Sequence, residues 1–180
     1  LENKIIGSDV PLVAVPTTAG SGAEATPFAV LYLDGVKFSL QHQSLLPGDV
    51  ALDYSLTNSL SPYQTAIDGL DALAQSIESF WSVNSTEDSK NFSRNAIPFI
   101  LQHLPGAVHN PDKENRKEML YAAFRAGKAI AIAKTTACHS ISYPITSQFG
   151  VPHGQAVALT LGEMLMYNAY VSEDDCTDRR

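Results

Sequence analysis

The sequence predicts a chain in two parts, with strands and turns over about the first 60 residues and helices over the remainder. Two observations carry this. Apolar runs before residue 60 are short and punctuated by Pro, Gly and Asp-Gly, whereas from Ser61 onward apolar residues recur at the three-and-four spacing of a helix face. A third bounds it: 180 residues, 44% apolar and 17% charged, are enough for a packed core and exclude a disordered chain.

Val10 to Val15 (VPLVAV) reads as a short buried strand ending at Pro16, followed by the small-residue loop Thr17-Thr18-Ala19-Gly20-Ser21-Gly22. Phe28 to Leu33 is a second strand, Asp34-Gly35 a hairpin turn, and Val36 to Leu40 the returning strand. Asp49 to Leu52 adds one more. Ser61-Pro62 is an N-cap followed by a first-turn proline, opening a helix that runs to about Trp81. Ser85 or Thr86 caps a second helix from about Glu87 to Leu104, bent at Pro98 and closed by Pro105-Gly106. Glu114 to Lys134 is a third. Cys138 to Gln148 is helix-like but broken by Pro144, and Gly154 to Tyr170 is the last.

Composition narrows the function. A net charge of −7 without any run of Lys or Arg argues against a nucleic-acid or anionic-membrane surface. The opening LENKII carries charge at once and lacks a secretory leader's apolar core. Two cysteines, Cys138 and Cys176, make neither a disulfide framework nor a CxxC clip, so the expected compartment is the cytoplasm. Residues 135–162 form 28 positions without Asp, Glu, Lys or Arg, yet prolines, glycines and two histidines interrupt them. That pattern suits a segment buried around a site better than a membrane span.

Two constellations carry chemistry. On the first helix, Asp68, Asp71, Gln75 and Glu78 are spaced 3, 4 and 3, forming one polar stripe on a helix apolar nearly all round. The stripe reads either as a solvated face or as buried carboxylates, which must be paired or bound to a metal. His139 and His153 lie 14 apart in the charge-free segment. Each alone reads as a hydrogen-bonded core histidine; together with a buried carboxylate they read as ligands for Fe(II), Zn(II), Mn(II) or Ni(II). The hydroxyls and glycines of residues 17–22 suit close approach to a phosphate or cofactor, although the loop is neither a GxGxxG nor a P-loop.

Three segments together resemble the iron-containing (group III) alcohol dehydrogenases: Val15 to Thr26 (VPTTAGSGAEAT), Gly69 to Ser79 (GLDALAQSIES) and His139 to Gly154 (HSISYPITSQFGVPHG). The phrases WSVNST and HSISYP resemble the phosphonoacetaldehyde reductase branch. The resemblance implies a dehydroquinate synthase-like architecture, incomplete at both ends: residues 1–60 as the end of an α/β nucleotide-binding domain, and 61–180 as a truncated helical metal-binding domain. It implies a divalent metal, iron(II) first and zinc second, on Asp71, His139, His153 and position 75. Thr17, Thr18, Ser21 and Lys37 would meet NAD or NADP, and the partner would be a small alcohol or aldehyde, in a chain that assembles as a homodimer. Two positions depart from the pattern. Gln75 stands where most members carry a metal-binding His, and Tyr143 where many carry a second, catalytic His; Tyr143 is either a substrate-side group or a packed ring. The upstream Gly-rich pyrophosphate loop is absent. The implied activity is metal-dependent interconversion of an alcohol and an aldehyde with NAD(P). A lyase or cyclase of the dehydroquinate synthase type is the alternative, as is an inactive piece.

Overall fold

The structure, a computed structural model, describes residues 10–33 and 36–172, without the side chains of Tyr32, Val36 and Lys37. The turn at Asp34-Gly35, the side chain of Lys37 and Cys176 therefore lie outside the described residues. The strands are β1 (Val13–Ala14), β2 (Phe28–Leu33), β3 (Val36–Gln41) and β4 (Asp49–Val50). The helices are α1 (Pro62–Trp81), α2 (Glu87–His109), α3 (Lys113–Ala133), α4 (Ala137–Phe149) and α5 (His153–Ala169). β2 and β3 form an antiparallel ladder from Phe28↔Gln41 to Leu33↔Val36. β1 and β4 pair in parallel, Val13 opposite Asp49.

Local chemistry sets most helix starts. The Ser61 hydroxyl accepts the Gln64 N–H at 3.1 Å, with Pro62 in the first turn. Thr86 and Ser89 form a reciprocal capping box on α2. Asp112 accepts the Asn115 N–H at 2.7 Å to open α3. α1 is the central helix, packed against α2, α3, α4 and α5. Its neighbours meet it through small residues, Ala72, Ala74, Ala96, Ala122, Ala123 and Ala126, all buried, with Ile100 and Met119 filling the space between. Alanines let helix axes approach closely, so the core is tight without large side chains.

Several expectations are corrected. Val10 to Val15 forms only a two-residue strand, and Val10, Leu12, Val13 and Val15 are exposed rather than buried. A parallel strand is buried only when elements cover both faces, and no described element covers these. Before Pro62 the only helical pieces among the described residues are short 3-10 turns. Asp49 to Leu52 shortens to Asp49–Val50.

Pro105-Gly106 does not end α2, which continues to His109, and Pro144 does not break α4. Pro98, Pro105 and Pro144 are all exposed, and so are Arg94, Leu101 and Ser140, the residues four positions earlier whose carbonyls lose their donors. A carbonyl freed on a wet face is satisfied by water, so each helix tolerates its proline.

The loop at 17–22 docks on the helices. Gly22 has φ +57, and a Cβ there would sit 2.6 Å from the Gly127 Cα of α3. Only glycine fits that backbone conformation and that approach. Gly20 likewise lies against Asp68 of α1, where a Cβ would be 2.9 Å from the Asp68 Cβ, so the loop glycines let it pack closely on the helices.

Candidate metal centre and cofactor cleft

The polar stripe of α1 is not a solvated face. Asp71, Gln75 and Glu78 are buried and Asp68 is half-buried. The stripe faces α4 and α5, whose first turns carry His139 and His153. His139 Nε2 lies 3.2 Å from Asp71 Oδ1, and His153 Nε2 lies 3.8 Å from the same oxygen. One donor atom from each of the three residues lies within 4.8 Å of the others.

Glu78, which sequence reasoning placed in the stripe but not in the site, organises the centre. Its Oε1 accepts N–H bonds from Thr136 at 3.0 Å, Cys138 at 2.9 Å and His139 at 3.4 Å, plus the Thr136 hydroxyl at 2.9 Å. α4 has no cap from its own residues. A carboxylate from α1 caps it instead, meeting the free amides and the positive end of the helix dipole. Its other oxygen, Oε2, accepts from His139 Nδ1. Burial pushes the Glu78 carboxyl up, but the His139 and Thr136 contacts prevail and hold it below the ordinary range. Nothing local in the sequence marks this role, because the helix that Glu78 caps begins at Thr136, 58 residues further along the chain.

These bonds fix the tautomers. With His139 Nδ1–H donating to Glu78, Nε2 carries a lone pair. The Ser142 hydroxyl donates to the His139 carbonyl at 2.7 Å, so the His153 Nδ1 beside it, 3.3 Å away, is the donor to Ser142 Oγ. His153 Nε2 is then a lone pair too. Both face Asp71 Oδ1, another acceptor. Among the buried polar atoms without a hydrogen-bond partner are Asp71 Oδ1, His139 Nε2 and Gln75 Oε1. Converging buried lone pairs repel unless a cation sits among them, so the residues present fit a divalent metal. A proton is the competitor. Burial opposes charge on His139, yet the hydrogen bonds and charges of Asp71 and Glu78 raise its imidazole to about 9.

Gln75 spends its amide nitrogen on Asp71 Oδ2 at 3.1 Å, so it steadies the carboxylate whether or not its oxygen ligates. The Tyr143 ring lies nearly parallel to His153, 12° apart with centroids at 6.4 Å, on the open side of the centre. His139 and His153 meet edge to face at 5.4 Å.

The centre opens into a cleft of about 290 Å³ between the helices and the β2–β3 ladder. Ser21, Phe28, Val30, Ser39 and Gln41 form the ladder side, and Lys134, Thr135 and Tyr143 the helical side. Of the loop hydroxyls, Ser21 lines the cleft; Thr17 is exposed and Thr18 half-buried outside that lining. Cys138 is buried behind the centre, and burial with the nearby Glu78 charge raises its thiol to about 11, so it stays a neutral packing group.

Comparison with known proteins follows the same lines. The family model for the C-terminal part of the Fe-containing alcohol dehydrogenases matches residues 65–178, and the model for iron-containing alcohol dehydrogenase matches residues 2–54. The chain belongs to the iron-containing alcohol dehydrogenase family. It is 41% identical to phosphonoacetaldehyde reductase of Streptomyces viridochromogenes, over 95% of this chain and 44% of that one. It is 34% identical to long-chain-alcohol dehydrogenase 1 of Geobacillus thermodenitrificans, over 94% of this chain and 42% of the relative. Sulfoacetaldehyde reductase from Bifidobacterium kashiwanohense, solved in complex with NAD+, superposes with a TM-score of 0.87 at 36% identity, over 89% of this chain and 44% of that one. The chain thus spans a little under half the length of these relatives. Among the described residues no helix is long and apolar enough to cross a membrane.

Proposed function

We propose that this chain is part of a metal-dependent, NAD(P)-linked oxidoreductase that interconverts a small aldehyde and its alcohol. The observation that carries the reading is the convergence of buried, unpartnered lone pairs of Asp71 and His139 with His153 at the foot of the cleft. Asp71, His139 and His153 hold the metal, iron(II) first and zinc second, with the Gln75 oxygen as a fourth, weaker donor. Once bound, the metal supplies Lewis acidity to the substrate's oxygen.

Every other task falls to the chain's own groups. Glu78 and Ser142 hold the two imidazoles with their Nε2 atoms forward. Tyr143, stacked on His153, hydrogen-bonds the substrate and relays its proton. Ser21 lines the cofactor's side of the cleft, with Thr17, Thr18 and Lys37 contacting the dinucleotide beyond it. Bringing the nicotinamide and the carbonyl together in one small cleft is the main catalytic contribution of such a scaffold. Residues 1–60 belong to the nucleotide-binding domain and 61–180 to the metal domain, in a homodimer of the cytoplasm that takes small molecules rather than nucleic acid or membrane as partners. The similarity to a phosphonoacetaldehyde reductase supports that aldehyde as the first substrate to try.

The test is direct. The complete protein, purified with its metal, is assayed for bound iron and zinc and for NAD(P)H oxidation with phosphonoacetaldehyde and with propanal. One equivalent of metal and aldehyde-dependent oxidation are expected. A protein that retains no metal at Asp71, His139 and His153 and oxidises no NAD(P)H overturns the reading.

A further inference from the structure

α3 ends at Lys134, whose backbone has φ +61 and ψ 176. It is the one non-glycine residue with positive φ among the described residues. Glycine alone adopts that combination without cost. The Lys134 side chain reaches across to the strand pair. Nζ donates to Gln41 Oε1 of β3 at 3.0 Å. That partner is neutral, and no carboxylate pairs with Lys134 among the described residues.

Among the described residues Lys134 is also the single lysine or arginine lining the cleft, and Asp71 its single carboxylate. Asp71 is committed to the metal centre. The cleft therefore has two poles: a metal centre at its foot and an uncompensated ammonium on its wall, with the hydroxyls of Thr135, Ser21 and Ser39 in the same lining. Such a cleft is matched by a small molecule with a carbonyl at one end and an oxyanion at the other.

The geometry points to Lys134 as the residue that selects the substrate, by binding the phosphonate or sulfonate group of a short anionic aldehyde. Gln41 positions the ammonium, and the strained end of α3 aims it into the cleft. The inference rests on the aldehyde-reductase reading above and adds the substrate class and the residue that reads it. The names of two relatives, one acting on phosphonoacetaldehyde and one on sulfoacetaldehyde, agree with it.

The experiment compares wild type, Lys134→Gly and Lys134→Arg in the complete metal-loaded protein. Glycine removes the charge and relieves the backbone, so the variant's Tm should equal or exceed wild type, and misfolding is not the outcome to fear. The readout is the ratio of kcat/KM for phosphonoacetaldehyde, and separately for sulfoacetaldehyde, to that for propanal. For Lys134→Gly the ratio should fall at least tenfold, mainly through KM, and Lys134→Arg should recover most of it. Loss with both anionic aldehydes assigns Lys134 to the shared oxyanion; loss with one alone assigns it to that group. A ratio unchanged from wild type, or an equal loss with propanal, overturns the inference, as does a rise in KM for NAD(P)H in place of the aldehyde. Binding of 2-hydroxyethylphosphonate, measured by calorimetry, needs no turnover. Wild-type protein that binds it at least tenfold tighter than Lys134→Gly but reduces no aldehyde sinks the function while keeping the site; equal binding sinks the site.

Discussion

At the scale of single residues, the centre depends on which atom of each side chain is left facing inward. Gln75 is the test of that logic. Its amide oxygen is a weaker donor than imidazole to a borderline metal, and its nitrogen is occupied by Asp71. Gln75→His should therefore hold the metal longer during dialysis against a chelator, at some cost in turnover. Equal metal loss from variant and wild type would show that position 75 does not ligate. Glu78→Gln probes the layer behind. The amide keeps an oxygen for the helix amides but presents N–H to His139 Nδ1, turning the ring's hydrogen onto Nε2. Metal affinity should drop about 10–100-fold, the usual effect of losing such a partner; titration with Zn(II) against a competing chelator reads it. In the metal-free protein His139 is the group to watch. Its raised pKa means the folded state binds the proton more tightly than the unfolded one. The resulting stability is fully present below pH 6.5 and lost as pH climbs through about 9. Tm of the metal-free protein should fall by roughly 5 °C or more between pH 6.5 and 9.5. An unchanged Tm would show that His139 is not gripped by Asp71 and Glu78.

At the scale of elements, the geometry is set where helices begin. α4 starts on a carboxylate of α1, and α5 starts with its backbone against α1: a Cβ on Gly154 would lie 2.2 Å from the Ile67 carbonyl oxygen. Gly154→Ala must push α5 outward, carrying His153 with it. Overpacking of this kind costs about 1–3 kcal/mol. We expect a Tm lower by roughly 3 °C or more together with weakened metal retention; a variant with both at wild-type values would uncouple α5 from the site. This scale also shows what was legible in advance. Ser61-Pro62, Thr86 and the apolar periodicity of α1 are local signals, and those helices begin where the sequence places them. The prolines misled because breaking is judged from the chain, whereas tolerance depends on which face is wet. The polar stripe of α1 and the pair His139 and His153 were recognisable from spacing, whereas the family resemblance, not the spacing, singled out Asp71 within the stripe. Glu78's role was not, because a cap donated by another helix leaves no local trace at Thr136. Lys134 was hidden for a similar reason: its strain is a property of the folded backbone, and lysine is unremarkable in sequence.

At the scale of the whole molecule, two apolar surfaces are uncovered. Leu12, Val13 and Val15 project from the β1 region, and on α5 Leu159, Met166 and Tyr167 are 62%, 54% and 64% exposed. Residues this apolar on a helix of 17 residues are normally buried against another element. The relatives aligned with this chain are more than twice its length, and the chain covers 44% of the phosphonoacetaldehyde reductase. A segment of residues 1–180 expressed alone should therefore self-associate through these faces. In size exclusion at tens of micromolar it should elute ahead of a 19.4 kDa monomer and bind a hydrophobic dye strongly. Leu159→Lys with Met166→Lys should reduce both signals, since neither side chain is among those lining the cleft. The same segment should retain metal, because its candidate ligands and their supports all lie between Asp71 and His153, while oxidising NAD(P)H far more slowly than the complete protein. A monodisperse, dye-silent segment would show that α5 and β1 need no cover. Dye binding that persists in the double variant would move the sticky surface elsewhere on the molecule.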